Sequence, residues 1–396
     1  MSPPSRRRFP AKFPALLIVL FVLFAAACSA GKDTPTVLPG ETASPTPRPS
    51  LEILLDPGFE AHQGFLFEAE GRVRNPESSA LTVTVDFGDG TSETVPVAPD
   101  GTFRVVHRYA MASSHELRVR AEGATASATV EVHPRKVVFI QGMNSESRCP
   151  DGGRFLDRAP AWLAAHFAAD EALRESLEVD ASDFVYFSYS GEYCDGSTGV
   201  NGSAPDYGWS DTCESIDGGS AERLKELIDA LAPSRVTIVA HSMGGLVAAY
   251  LAASEPEWAR EHIASIVTFD SPLAGIDRMR AEVLGFYRMG GGGCGRGSAA
   301  MDDLRSGSEV TRVAAGAAHV VPFFTLDGQR RESRALGIAE AVPNGRTEVD
   351  GAMLHVRVNE AHSEVWSHPP DDGTLAKATL VACALLADAG PCALVP

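Results

Sequence analysis

The sequence lacks features that several classes of protein require. Its formal net charge is −18 at pH 7, so it has no basic surface for a phosphate backbone, and nucleic acid is not expected as a partner. No C-x-x-C pair occurs beside a second ligand cluster, which argues against a zinc site, and no metal is expected. The glycine-rich segment 285–297 lacks the Gly-Lys-Ser/Thr of a phosphate-binding loop.

A long hydrophobic run is absent too. The N-terminus has a basic start and then the apolar run Ala15–Ala27, which is too short for a comfortable membrane span and predicts an export signal over residues 1–27. Three alanines followed by Cys28 resemble the lipobox of bacterial lipoproteins. The resemblance implies that Cys28 is the lipidated first residue of an exported, cell-surface protein anchored to a membrane. Plain cleavage with release outside the cell and an uncleaved anchor are the alternatives.

Residues 28–50 are rich in Pro, Ser and Thr and have few apolar side chains. They cannot bury a core, and we interpret them as an extended tether. Six cysteines follow Cys28, and an even number in an exported chain favours disulfides. The shortest pairings are Cys194 with Cys213 and Cys383 with Cys392.

Residues 51–133 predict a β-sandwich, because short alternating segments such as Leu81–Phe87 and Thr102–Tyr109 are separated by turn signals. The segments Asp86–Gly90, His107–Tyr109 and Ala126–Val132 resemble the motifs of PKD domains. This resemblance implies an immunoglobulin-like fold that serves as a spacer or as an interaction module, with a protein or a glycan as candidate partner. We expect the aspartates of the Asp86–Gly90 turn to accept backbone hydrogen bonds rather than to bind calcium.

From residue 135 to residue 396, strand and helix patterns alternate, which predicts an α/β fold with a doubly wound, mostly parallel sheet. Lys136–Gln141 reads as a buried strand, and Ser220–Leu231 reads as a helix with one apolar face. The long polar stretch 191–219 is expected to form the wall or the lid of a cleft.

The segment Val236–Ala248 carries the chemical signal. A buried-strand pattern ends at Ser242, small residues flank this serine at Ala240 and Gly244, and a helical pattern follows. Small neighbours permit the sharp strand-to-helix turn that exposes a nucleophilic serine, so we interpret Ser242 as a nucleophile.

A serine nucleophile needs a histidine and an orienting acid downstream. His362 follows the strand-like segment 353–358 and is the preferred histidine; His368 and His319 are alternatives. For the acid, Glu340 has the better spacing and Asp327 stands at a predicted strand end, and the choice stays open.

An oxyanion needs two backbone donors. The amide of Met243, directly after the nucleophile, and the amide of Met143, after the first strand, are the candidates. Gln141–Met143 stands where lipases have His-Gly-x, so a glutamine replaces the usual histidine.

Four segments together resemble α/β-hydrolases of the lipase and esterase type: Gln141–Met143, Ala240–Gly244, Asp270–Gly275 and Glu360–Ser363. The resemblance implies an ester hydrolase acting on acyl or lipid esters without a cofactor. An acyltransferase, an amidase, or a surface-binding protein with an inert hydrolase domain are the alternatives. Asp270 is a further, less favoured candidate for the acid because it falls one strand early.

Overall fold

The computed structural model describes residues 51–74, 81–149, 181–276, 294, 297–328, 349–358 and 374–385. The predicted signal and tether, Glu340, His362 and His368 lie outside these ranges. Within them, no helix is both long enough and apolar enough to cross a membrane.

The first domain is an all-β sandwich, as predicted. One sheet has three strands in the order β1-β3-β6, and the other has five in the order β2-β8-β7-β4-β5. The strands are β1 Glu52–Leu55, β2 Gly58–His62, β3 Leu66–Arg74, β4 Thr82–Asp86, β5 Ser92–Pro96, β6 Thr102–Arg108, β7 Ser114–Ala121 and β8 Ala124–His133. All pairings are antiparallel except that of β2 with β8. Alternate residues of strands such as β4 and β8 enter the shared core, which explains the period of two in their sequence.

The acidic turn after β4 is closed by its own hydrogen bonds. Asp86 Oδ1 accepts from the Gly88 amide at 3.0 Å, and Asp89 Oδ1 accepts from the Thr91 amide at 3.0 Å and from its hydroxyl at 2.7 Å. Asp89 Oδ2 also lies 2.7 Å from Nε2 of His107. Each carboxylate thus serves the turn that carries it, and among the described residues no group of three or more acidic, His or Cys side chains could hold a metal ion.

The second domain contains one parallel sheet of six strands in the order β10-β9-β11-β12-β13-β14. The strands are β9 Lys136–Ile140, β10 Phe184–Tyr186, β11 Val236–His241, β12 Ile263–Phe269, β13 Phe323–Gly328 and β14 Leu354–Val358. The helices are α1 Ala221–Ala230, α2 Met243–Ser254, α3 Pro256–His262, α4 Ala299–Asp303, α5 Glu309–Ala314 and α6 Thr374–Leu385. The predicted doubly wound α/β sheet is therefore present.

Helices cover both faces of this sheet. On one face α1 and α2 bury apolar side chains, and α1 does so through Leu224, Leu227 and Ile228, as predicted. On the other face α6 packs on β11, β12 and β13. All seven residues of β12 are buried, which is typical of a central parallel strand.

Only Pro134 and Arg135 separate β8 of the sandwich from β9 of the parallel sheet. Arg135 is 1% exposed, its amide donates to Oε1 of Gln63 at 3.2 Å, and its guanidinium lies 3.6 Å from the ring centroid of Phe65. The guanidinium of Arg235 lies 4.6 Å from the same centroid. Cation–π contacts and a backbone hydrogen bond therefore join the two domains across a very short connection.

Candidate active site

Ser242 occupies a sharp turn between β11 and α2, with φ 53° and ψ −127°. This backbone conformation is costly for a residue with a side chain and occurs mainly where the surrounding structure imposes it. The residues after Ser242 are closely packed: a Cβ added at Gly244 would lie 2.6 Å from the Gln141 carbonyl oxygen, and one at Gly245 would lie 2.1 Å from Oγ of Ser271. The small residues after Ser242 are thus required by the neighbouring strand ends.

The loop after β9, residues 141–149 (the β9 loop), lies against this turn because β9 and β11 are sheet neighbours. A Cβ added at Gly142 would lie 2.6 Å from Cβ and 3.0 Å from Oγ of Ser242. The backbone at Gly142 and Met143 can therefore approach anything bound at the serine hydroxyl. Met243, 1% exposed, begins α2, and the first amides of a helix have no partner within the helix.

The β9 loop is held by hydrogen bonds within itself and to distant parts of the chain. The hydroxyl of Tyr189 donates to the Gln141 carbonyl at 2.6 Å, and Oγ of Ser145 donates to the Gly142 carbonyl at 2.7 Å. Asn144, at φ 62°, donates its amide to Oγ1 of Thr212 at 2.9 Å. Its side-chain oxygen accepts from the Cys294 amide at 2.7 Å.

Two disulfides involve or contact this loop. Cys149 is bonded to Cys194, and Cys213 is bonded to Cys294. The predicted pairing of Cys194 with Cys213 is wrong. Both cysteines lie in the stretch 191–219, and each is bonded to a cysteine outside that stretch. Cys383 is disulfide-bonded as well, and its expected partner Cys392 lies outside the described residues.

A row of polar residues crosses the carboxyl edge of the sheet. In the register of the sheet, His241 of β11 is paired with Phe269 of β12, and Phe269 with Leu326 of β13. Ser242, Asp270 and Asp327 are the residues that directly follow these three. Backbone hydrogen bonds keep the row aligned: the Ser242 amide donates to the Phe269 carbonyl at 3.0 Å and the Asp270 amide to the Leu326 carbonyl at 2.7 Å. Since neighbouring strands lie about 5 Å apart, the backbones at Ser242 and Asp327, two strands apart, are separated by about 10 Å.

Both aspartates of this row are buried, Asp270 to 2% exposure and Asp327 to 0%. Asp270 adopts φ 47° and accepts a 3.4 Å hydrogen bond from the Gly328 amide. Oδ2 of Asp327 lies 4.0 Å from Nε of Arg357 on β14. Buried carboxylates are costly and cluster at functional sites, so this edge is the candidate site.

The structure brings Ser242, Met143, Met243 and Asp327 to one edge of the sheet. His319 lies before β13, beside Gly351 before β14, and hence at the opposite, amino-terminal edge. Sequence reasoning missed Ser145, Tyr189 and Tyr207, which support the β9 loop. No local motif marks these three residues.

Two family models match the chain. The PKD domain model matches residues 53–134, and the model of the PGAP1-like alpha/beta domain matches residues 223–289. The chain carries a PKD domain followed by an α/β-hydrolase domain. No curated protein matches.

Solved structures match the chain as well. The PKD domain of the human VPS10 domain-containing receptor SorCS2 is 21% identical, with 28% of this chain and 96% of that chain covered and a TM-score of 0.18. A hyperthermophilic esterase from the archaeon Pyrobaculum calidifontis is 14% identical, with 80% and 85% covered and a TM-score of 0.33. A thermostable carboxylesterase from a metagenomic library is 13% identical, with 70% and 90% covered and a TM-score of 0.35.

Proposed function

We propose that the α/β-hydrolase domain is a serine hydrolase that cleaves carboxylic esters, of acyl or lipid type. The observation that supports it most is the strained turn at Ser242, packed against the glycine backbone of the β9 loop. His362 takes the Ser242 proton as Oγ attacks the ester carbonyl carbon, and the amides of Met143 and Met243 bind the oxygen that becomes negative. His362 then protonates the leaving alcohol, and water hydrolyses the acyl-enzyme by the same steps.

For the orienting acid we favour Asp327 over Glu340. Asp327 is fully buried at the end of β13, and the neighbouring strand β14 leads four residues later to His362. A separation of about 10 Å between Ser242 and Asp327 leaves room for one imidazole ring hydrogen-bonded on both sides. Glu340 lies outside the described residues.

The PKD domain and the disulfides are consistent with an exported protein, because disulfides persist in oxidising compartments. We infer that Cys28 carries a lipid anchor which holds the enzyme at the cell surface, near lipid esters. Replacement Cys28→Ala is expected to move the protein from the membrane fraction to the soluble fraction, and unchanged fractionation contradicts the anchor.

A fluorophosphonate probe and nitrophenyl esters of graded acyl length test the activity. The wild-type protein is expected to be labelled and to hydrolyse the esters, and Ser242→Ala is expected to do neither. Labelling that survives Ser242→Ala contradicts the nucleophile, and a wild-type protein without labelling or hydrolysis contradicts the enzyme.

A further inference from the structure

Hydrogen bonding of the β9 loop determines where one peptide group points. The Gly142 carbonyl and the Met143 amide belong to a single planar peptide, in which a trans C=O and N–H point in opposite directions. Whatever holds the carbonyl oxygen of Gly142 therefore also aims the amide of Met143. That oxygen accepts from Oγ of Ser145 at 2.7 Å and from the Ser145 amide at 3.4 Å.

The Ser145 hydroxyl is in turn held by Tyr207. The two oxygens lie 3.1 Å apart. A serine hydroxyl has one proton, and that of Ser145 is directed to the Gly142 carbonyl, so the Tyr207 hydroxyl is the donor to Ser145. The chain runs from Tyr207 through Ser145 to the Gly142–Met143 peptide, and donors in series strengthen one another.

Tyr207 is well fixed for this role. It is 1% exposed, and its backbone exchanges two hydrogen bonds with Ser147, at 2.9 and 2.7 Å. Its ring contacts that of Tyr189 edge to face, with 5.5 Å between centroids. Burial raises the pKa of Tyr207 to about 12, so its hydroxyl keeps its proton at neutral pH.

We propose that Tyr207 and Ser145 are positioning residues which aim the Met143 amide at the oxyanion of the reaction. The proposal rests on the proposed function. It also gives the polar stretch 191–219, which carries Tyr207, a role as a brace of the β9 loop, in a chain that has Gln141 where lipases have histidine.

The test compares Tyr207→Phe and Ser145→Ala with Tyr193→Phe as matched control. Tyr193 is 8% exposed, lies in the same stretch, and donates its hydroxyl to the Tyr186 carbonyl on β10 at 3.0 Å. We expect kcat on a nitrophenyl ester to fall about tenfold in the first two variants, with KM within about twofold, since the loss affects the transition state rather than substrate binding. Tyr193→Phe is expected to leave kcat unchanged. Ser145→Thr retains the hydroxyl, and its kcat is expected to be close to that of the wild-type protein.

Two further readouts separate positioning from general damage. Affinity for a trifluoromethyl ketone, which forms an oxyanion on Ser242, is expected to fall in parallel with kcat/KM. The double variant is expected to lose little more than either single variant, because both act through one chain of hydrogen bonds. Ser145→Ala removes a half-buried hydroxyl and provides the test if Tyr207→Phe does not fold.

A wild-type enzyme that is labelled and active, together with Tyr207→Phe and Ser145→Ala variants of unchanged kcat, overturns this inference and leaves the proposed function standing. A fall in kcat that Tyr193→Phe reproduces also overturns it, because the effect is then one of stability. A wild-type protein without activity or labelling overturns both.

Discussion

Aspartates gather in both domains, in different surroundings. In the PKD domain, Asp86, Asp89 and Asp100 lie at turns, and each accepts a hydrogen bond from the backbone amide two residues later. In the hydrolase domain, Asp270 and Asp327 are buried in a row with Ser242. A carboxylate that caps its own turn contributes to local structure, whereas one buried at a shared sheet edge is costly to folding and is retained where chemistry needs it.

Replacing the buried acids sharpens this comparison most. Asp327→Asn is expected to lower kcat by about a thousandfold or more, the order seen when a triad acid is lost. Asp270→Asn, on the adjacent strand and equally buried, is the matched control and should lose much less. Ester hydrolysis at saturating substrate is the measurement.

The alternatives give distinct outcomes. If Asp270→Asn is the more damaging change, the acid lies one strand earlier than proposed. If both variants stay active and Glu340→Gln does not, the acid is Glu340.

The second-largest effect is expected at Gly142, whose backbone lies close to Ser242. Gly142→Ala is expected to lower kcat/KM about a hundredfold, because the new methyl group would displace either the β9 loop or Ser242 by a substantial part of an ångström. In the matched control Gly219→Ala, the nearest atom to the new Cβ is 3.8 Å away. Slower fluorophosphonate labelling in Gly142→Ala alone fits this account, and equal labelling of both variants contradicts it.

The smallest effect is expected in the PKD domain, and on stability. Burial alone would raise the pKa of Asp89, but hydrogen bonds from Thr91 and His107 outweigh it and lower the pKa below its ordinary value. A lowered pKa in the folded state stabilises the fold above about pH 4, and this stabilisation is lost as the pH falls through the folded pKa.

Asp89→Asn is therefore expected to cost about 0.5 kcal/mol at pH 7, the low end of the range for a hydrogen bond, and to cost less at pH 3. Thermal unfolding at the two pH values measures it, with ester hydrolysis unchanged. A loss of activity in Asp89→Asn would break the distinction between the two kinds of aspartate.

Sequence patterns predicted the features that depend on residues close together in the chain. The alternation in Leu81–Phe87, the apolar face of α1 and the small residues around Ser242 all reflect contacts within a few positions or along one element. The supports of the β9 loop could not be predicted in this way, because the Tyr189–Gln141 hydrogen bond spans 48 residues and the Cys213–Cys294 bond spans 81. The proposal of Asp327 rather than Glu340 as the orienting acid likewise rests on a long-range feature, the pairing of β13 with β14.

The connection between the two domains has a mechanical consequence. The Arg135 guanidinium packs on the ring of Phe65, and β9 starts at the next residue. A force that pulls on the PKD domain is thus carried into β9 without a slack segment to absorb it. Because β9 ends at Ile140, two residues before the Gly142–Met143 peptide, tension along the chain and the orientation of the proposed oxyanion donor depend on the same strand.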